Sequence, residues 1–248
     1  MHALLHACLN AALRDGLVHA NAAAGVRLPR DRHRTGTTWS PQQLQRFLDA
    51  TLLDPLGPLF LVLATTGMRR GEAVGLCWSQ VDLANCAVSV RQSMLSVRYK
   101  VIVDEPKTTR SSRTIAVDPI TVAVLRHVQQ RQDAQRQLLG SAWHPGDYVF
   151  TREDGSPWHP EYVSKRFAVL VKRAGLPRIR LHDLRHTHAS LALRGGVHLK
   201  VMQERLGHSS ISVTANMYSH VAPGLQHDAA TRIADLALGS WVPPLANR

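Results

Sequence analysis

At 248 residues the chain is long enough to bury a sizeable core, as one large domain or as one domain with an appended fragment. Its formal charge of +12, built from 25 Arg and 5 Lys against 18 acidic residues, points to a polyanionic partner, because the planar guanidinium grips phosphate oxygens in pairs. Three cysteines without metal spacing or a disulfide framework (Cys8, Cys77, Cys86), no apolar run of about 18 residues and no signal peptide set a cytoplasmic, membrane-free expectation.

Residues 3–18 repeat apolar side chains at helical spacing, and GVRLPRDRHRTGTT then breaks the pattern with Gly, Pro and a net charge of +3. One amphipathic helix cannot bury its apolar face unaided. Residues 1–26 are therefore expected to be the remnant of a helical domain, and 27–38 a basic linker that carries Arg30, Arg32 and Arg34 toward a phosphate backbone. From Ser40 the signals become regular. SPQQLQRFLDATL places Ser40 at an N-cap and Pro41 at the first helical position. PLGPLFLVLATTG follows as a buried helix and RRGEAVGL as a short one. CAVSVRQSML, VRYKVIVDEP and SRTIAVD are β-branched segments spaced like one small antiparallel sheet. Long helices are expected over 119–139 and 159–174, with YVF as a short strand between them. Shorter helices are expected over 183–194, 198–206, 211–218 and 224–238. The fold class is thus mainly α with a small antiparallel β-sheet (α+β).

Charge is uneven along this layout. Residues 165–185 hold seven Lys or Arg against one Asp, half of the total excess, whereas 219–248 balance to zero. Lys165, Arg166, Lys172, Arg173, Arg178 and Arg180 form the strip that would track a DNA backbone, although a solvated helix face has the same composition.

Several side chains are chemically suggestive, and each is ordinary when taken alone. Arg69 and Glu72 in TGMRRGE share a helix face, most often as a surface ion pair. In HDLRHTH, His182 lies three residues before Arg185 and four before His186. The two histidines could ligate a metal, but no third ligand has the expected spacing and HExxH is absent, so no metal is expected. Lys107 lies in EPKTTRSSR, read as a hairpin tip, and Tyr218 in LGHSSISVTANMYSH, ten residues after His208. Their combination is less ordinary. A tyrosine can attack a phosphodiester covalently, arginines can neutralise its non-bridging oxygens, and a lysine or histidine can protonate the departing alkoxide.

In that order, TTGMRRGEAVGLCWSQVDL, EPKTTRSSRTIAV, LHDLRHTHASLALRGG and LGHSSISVTANMYSH resemble the catalytic domain of the tyrosine recombinases, the phage-integrase family, over about residues 39–222. The likeness is greatest to integrases of phages and integrative elements. It implies that Arg69 and Arg185 are the catalytic arginines, Glu72 the acidic companion of the first, and Lys107 the general acid for the leaving 5′-hydroxyl. His182 and His208 match the two histidine positions, and Tyr218 the nucleophile that forms a 3′-phosphotyrosine. No cofactor is implied. The implied partners are double-stranded DNA, further copies of the chain in a tetrameric synapse, and a directionality factor or host accessory protein on the bacterial nucleoid.

Relatives carry a helical core-binding domain ahead of the catalytic half. Residues 1–26 are expected to be the C-terminal remnant of one, so that binding is weak and barely sequence-selective. Residues 223–248 are expected to form a tail helix that covers the chain's own core or docks on a neighbouring subunit. Two other functions stay open from the sequence: a type IB topoisomerase-like nicking–closing activity, and a truncated DNA-binding remnant without recombination activity.

Overall fold

The computed structural model describes residues 2–26, 37–104, 112–208 and 210. The chain divides into two compact units, residues 1–35 and 36–248. In the first, α1 (His2–Arg14) is followed by a return segment tied to its polar side: Asn21 Nδ2 donates to Asn10 Oδ1 at 2.7 Å and to the His6 carbonyl at 3.2 Å. Leu4, Leu5, Leu13 and Leu17 of this unit are exposed.

The second unit begins with α2 (Pro41–Ala50). Ser40 Oγ accepts from the Gln43 N–H while Gln43 Oε1 accepts from the Ser40 N–H, so two donors that the first helical turn leaves orphaned are satisfied reciprocally. The next helix, α3 (Gly57–Thr66), is buried nearly all round, as its unbroken apolar run requires. Phe47 of α2 and Phe60 of α3 meet Trp39 and Phe167 in an aromatic cluster with ring centroids 5.0–5.9 Å apart. Edge-to-face contacts of this kind add to simple area burial. Short α4 (Arg70–Val74) follows the α3 cap.

Five strands come next: β1 (Val81–Asp82), β2 (Ala87–Val90), β3 (Ser93–Val97), β4 (Lys100–Asp104) and β5 (Arg113–Ala116). They are antiparallel, as expected, but among the described residues they form two sheets, β1-β2-β5 and β3-β4. CAVSVRQSML is therefore two strands. The break falls at Gln92, whose Nε2 donates to the Gly75 carbonyl at 2.6 Å and so pins the chain between the sheets. The β3-β4 hairpin turns at Arg98 and Tyr99, both at positive φ (50° and 64°), the twist that a two-residue hairpin favours. The Lys107 segment, 105–111, lies outside the described residues; it joins β4 of one sheet to β5 of the other.

Helix α5 (Pro119–Leu139) starts at the expected residue, capped by Asp118 Oδ1, which accepts from the Ile120 and Thr121 N–H groups. YVF makes no strand among the described residues, only an isolated bridge between Tyr148 and Cys77. Helices α6 (Pro160–Arg173), α7 (Asp183–Arg194) and α8 (Leu199–Leu206) complete the described fold. The helices expected over 211–218 and 224–238 lie outside the described residues. No described helix is long and apolar enough to cross a membrane.

Candidate functional site

The last carbonyls of an α-helix have no donor within the helix and carry the negative end of its dipole. At the C-terminus of α8 three successive carbonyls each receive a different arginine. Arg113 Nε donates to Arg205 O at 2.8 Å, Arg185 Nη2 to Leu206 O at 2.5 Å, and Arg69 Nη2 to Gly207 O at 3.2 Å. These arginines come from β5, α7 and the N-cap of α4, so residues remote in sequence meet at one helix end.

Local structure brings each of them there. Gly67 caps α3 at φ +68°, a left-handed conformation in which Gly pays no steric cost, and its carbonyl accepts from Arg185 Nη1 at 2.8 Å. A Cβ on Gly67 would stand 2.7 Å from His188 Cδ2 and 2.8 Å from Leu206 Cδ2. The turn leaves Arg69 extended at the start of α4, where Glu72 folds back to accept its N–H at 2.8 Å. Glu72 Oε1 also accepts from Arg69 Nη1 at 2.8 Å and Arg113 Nη1 at 3.0 Å, and Oε2 from Arg113 Nη2 at 2.7 Å. Burial alone would raise the Glu72 carboxyl, but the hydrogen bonds and charges of Arg113 and Arg69 outweigh it and hold the pKa at about 2.

The arginines differ in access. Arg185 is buried and the Arg113 side chain only 8% exposed, whereas the Arg69 side chain is 45% exposed. Beside Arg69 a cleft of about 500 Å³ opens, lined also by Arg70, Ser164, Arg178, Arg180 and His182. His182 and His186 meet edge to face with centroids 5.3 Å apart. Desolvation, then the neighbouring His186 and Arg185, lowers the His182 pKa to about 4. His208 follows Gly207 directly and is also lowered to about 4, by desolvation and then by Arg185 and Arg69. Both imidazoles are therefore neutral at pH 7, and weak bases. Among the described residues no group of three His, Cys, Asp or Glu side chains is placed to hold a metal ion.

The structure thus gathers Arg69, Glu72, His182, Arg185 and His208. Lys107, Tyr218, Arg30, Arg32 and Arg34 lie outside the described residues. On the basic strip, Lys165, Lys172, Arg173 and Arg178 are exposed. Arg166 is committed elsewhere: its Nε and Nη2 donate at 2.9 and 2.7 Å to the Asp54 carboxylate, which ties α6 to the α2–α3 connection. Arg180 stays exposed but forks onto Asp183 through Nε and Nη2 at 3.1 and 2.9 Å.

Sequence reasoning gave Arg113 no role. A signal was present, since Arg113 shares the inward face of β5 with buried Ile115, and an inward charge requires a buried counter-charge. Arg205 was also missed. It donates to His188 Nε2, Ala116 O and Thr65 O and so locks α8 against the α3 end and β5.

The sequence profile described as "Phage integrase family" matches residues 40–224. The chain belongs to the phage integrase family. It is similar to a "Tyrosine recombinase XerC-like" protein of Caldanaerobacter subterraneus subsp. tengcongensis, with 31% identity over 92% of this chain and 63% of that protein. It is also similar to the "ICEBs1 integrase" of Bacillus subtilis, with 28% identity over 91% of this chain and 61% of the relative. The chain therefore spans less than two thirds of the length of either relative. In fold it resembles the Tn1549 transposon integrase solved with a circular-intermediate DNA, at a TM-score of 0.77 and 23% identity over 93% of this chain and 77% of that one. This family shares the mainly helical architecture with small antiparallel sheets described above.

Proposed function

We propose that this integrase-family chain cleaves and rejoins double-stranded DNA through a covalent 3′-phosphotyrosine at Tyr218. The observation that carries the reading is the fixing of Arg69 and Arg185 on adjacent carbonyls, Gly207 and Leu206, at the helix end from which His208 and the Tyr218 segment continue. Two guanidinium groups held by backbone carbonyls form a preorganised cationic clamp, which stabilises the charge that develops on a phosphorane.

In the proposed reaction the Tyr218 oxygen bonds to the scissile phosphorus as the P–O5′ bond breaks. His208 or His182 takes the phenolic proton; with a pKa of about 4 either ring is a weak base, so the transfer relies on the negative charge of the bound phosphate to raise it. Lys107 gives a proton to the leaving 5′-oxygen. A 5′-hydroxyl of a partner strand then attacks the phosphotyrosine and releases Tyr218. Bond energy is stored in the adduct, so the reaction as written uses no cofactor. Its substrate places the protein on the bacterial nucleoid, as a tetramer of this chain on paired sites, with a directionality or host factor as a further partner.

The names of the relatives, a tyrosine recombinase and an integrase, favour strand exchange over a nicking–closing activity. Nicked suicide DNA, from which the cleaved 5′-end diffuses away, tests the reading. The protein should form a denaturant-resistant adduct that Tyr218→Phe abolishes while DNA binding persists. An adduct that survives Tyr218→Phe would remove Tyr218 from the role of nucleophile.

A further inference from the structure

We infer that Arg113 is a positioning residue for strand cleavage: through Glu72 it fixes Arg69, and through Arg205 O it fixes the end of α8. This deepens the recombinase reading and rests on it.

All three nitrogens of the Arg113 guanidinium are engaged, two on the Glu72 oxygens at 2.7 and 3.0 Å and the third on Arg205 O at 2.8 Å. A planar fork is the shape that can hold both oxygens of one carboxylate, and its side nitrogen remains to reach a third acceptor. Glu72 in turn spends its two remaining contacts on the backbone N–H and Nη1 of Arg69. Arg69 is the one half-exposed arginine of the three, so its orientation depends on those contacts. A second contact reaches the same place from the other side. Gly207 sits at φ +64°, and a Cβ there would stand 3.0–3.2 Å from Arg113 Nη1, Cδ and Cζ. The guanidinium of Arg113 thus lies where a side chain at 207 would be, against the residue whose carbonyl receives Arg69. Arg113 also opens β5, the strand that follows the Lys107 segment. One side chain therefore sets the spacing between Arg69, the end of α8 and the start of β5. It need not touch DNA to do so.

Arg113→Lys is the first variant, because an ammonium supplies charge without the fork. Glu72→Gln/Arg113→Met is the second: it removes the buried carboxylate and its buried partner together, and the charge left over, on Arg69, is half exposed and so does not threaten the fold. Each is compared with the unaltered chain on suicide DNA that carries either a normal phosphodiester or a neutral methylphosphonate at the cleavage position, and thermal melting is followed alongside. Arg69 neutralises phosphate charge, so a defect that acts through Arg69 shrinks when the phosphate is already neutral. We expect cleavage of the phosphodiester to slow by at least ~100-fold, the loss typical of one electrostatic donor. Most of that deficit should disappear on the methylphosphonate, and the melting transition of the double variant should persist. Equal slowing on both substrates, or no slowing on either, overturns the assignment. Failure of the unaltered chain to form a Tyr218-dependent adduct overturns the recombinase reading itself, whatever Arg113 does.

Discussion

Two arginine-rich regions of this molecule use the same side chain in opposite ways. At the end of α8, the side chains of Arg113 and Arg185 are withdrawn from solvent and all three arginines are aimed at backbone carbonyls or at Glu72. Along α6 and the segment after it, Lys165, Lys172, Arg173 and Arg178 stand in solvent. The first arrangement costs desolvation and is tolerated only where geometry is excellent, which is what phosphoryl chemistry demands of its cations. The second costs nothing and holds no geometry, which suffices for a sequence-blind attraction to phosphate. Position in the sequence does not distinguish the two, since Arg178 and Arg185 are seven residues apart. Burial and acceptor identity do.

The comparison breaks most readily at Glu72. Glu72→Ala leaves Arg113 as a buried cation without its carboxylate, and loss of one member of such a pair costs about 3–5 kcal/mol. Urea unfolding should show it as a large fall in midpoint, whereas alanine at Lys165 should leave the midpoint unchanged. Next in size is Arg69→Ala. Arg69 is half exposed, and Glu72 keeps Arg113, so the fold should survive while strand cleavage falls by about 10²–10³. A melting curve shifted as far as that of Glu72→Ala would make Arg69 a structural residue instead.

A smaller effect is expected from pH. His188 hydrogen-bonds with Ala64 O through Nδ1 at 2.9 Å and meets Arg205 Nε through Nε2. Desolvation and then Arg205 lower its pKa from 6.5 to about 4. The unfolded chain binds the proton more tightly, so the stability that His188 contributes is complete above pH 6.5 and is lost as pH falls from there toward 4. His182 and His208 act in the same window, and Glu72 only below its ordinary 4.5. Melting temperature should therefore fall between pH 6.5 and 4, less steeply in His188→Gln; an identical slope in that variant would show that other groups carry the effect. The smallest effect belongs to the strip. Lys172→Ala should reduce the salt slope of DNA binding by about 0.9, the value for one phosphate contact, with cleavage at saturating DNA unchanged. An unaltered slope would show that Lys172 is merely solvated.

What the sequence made legible was local. Ser40 with Gln43, the apolar run of α3 and the Asp118-Pro119 start of α5 depend on neighbours within a turn, and the structure repeats them. The family motifs likewise singled out Arg69, Glu72, His182, Arg185 and His208, which the fold brings together. What stayed hidden depends on partners remote along the chain. Arg166 reads as one more cation of the strip until Asp54, 112 residues away, takes it. The sheet divides at Gln92, whose side chain bonds the Gly75 carbonyl, and no β-propensity records that bond. Arg113 meets Glu72 across 41 residues, so its importance lay in a pairing that only the fold supplies.

The pinned arginines are proposed to serve a covalent reaction of Tyr218. The most direct test is to trap the protein on suicide DNA, digest the adduct with protease and nuclease, and locate the nucleotide-bearing residue by mass spectrometry. One modified residue is expected, Tyr218, linked to a 3′-phosphate. Attachment to any other side chain, or linkage to the 5′-phosphate, would contradict it.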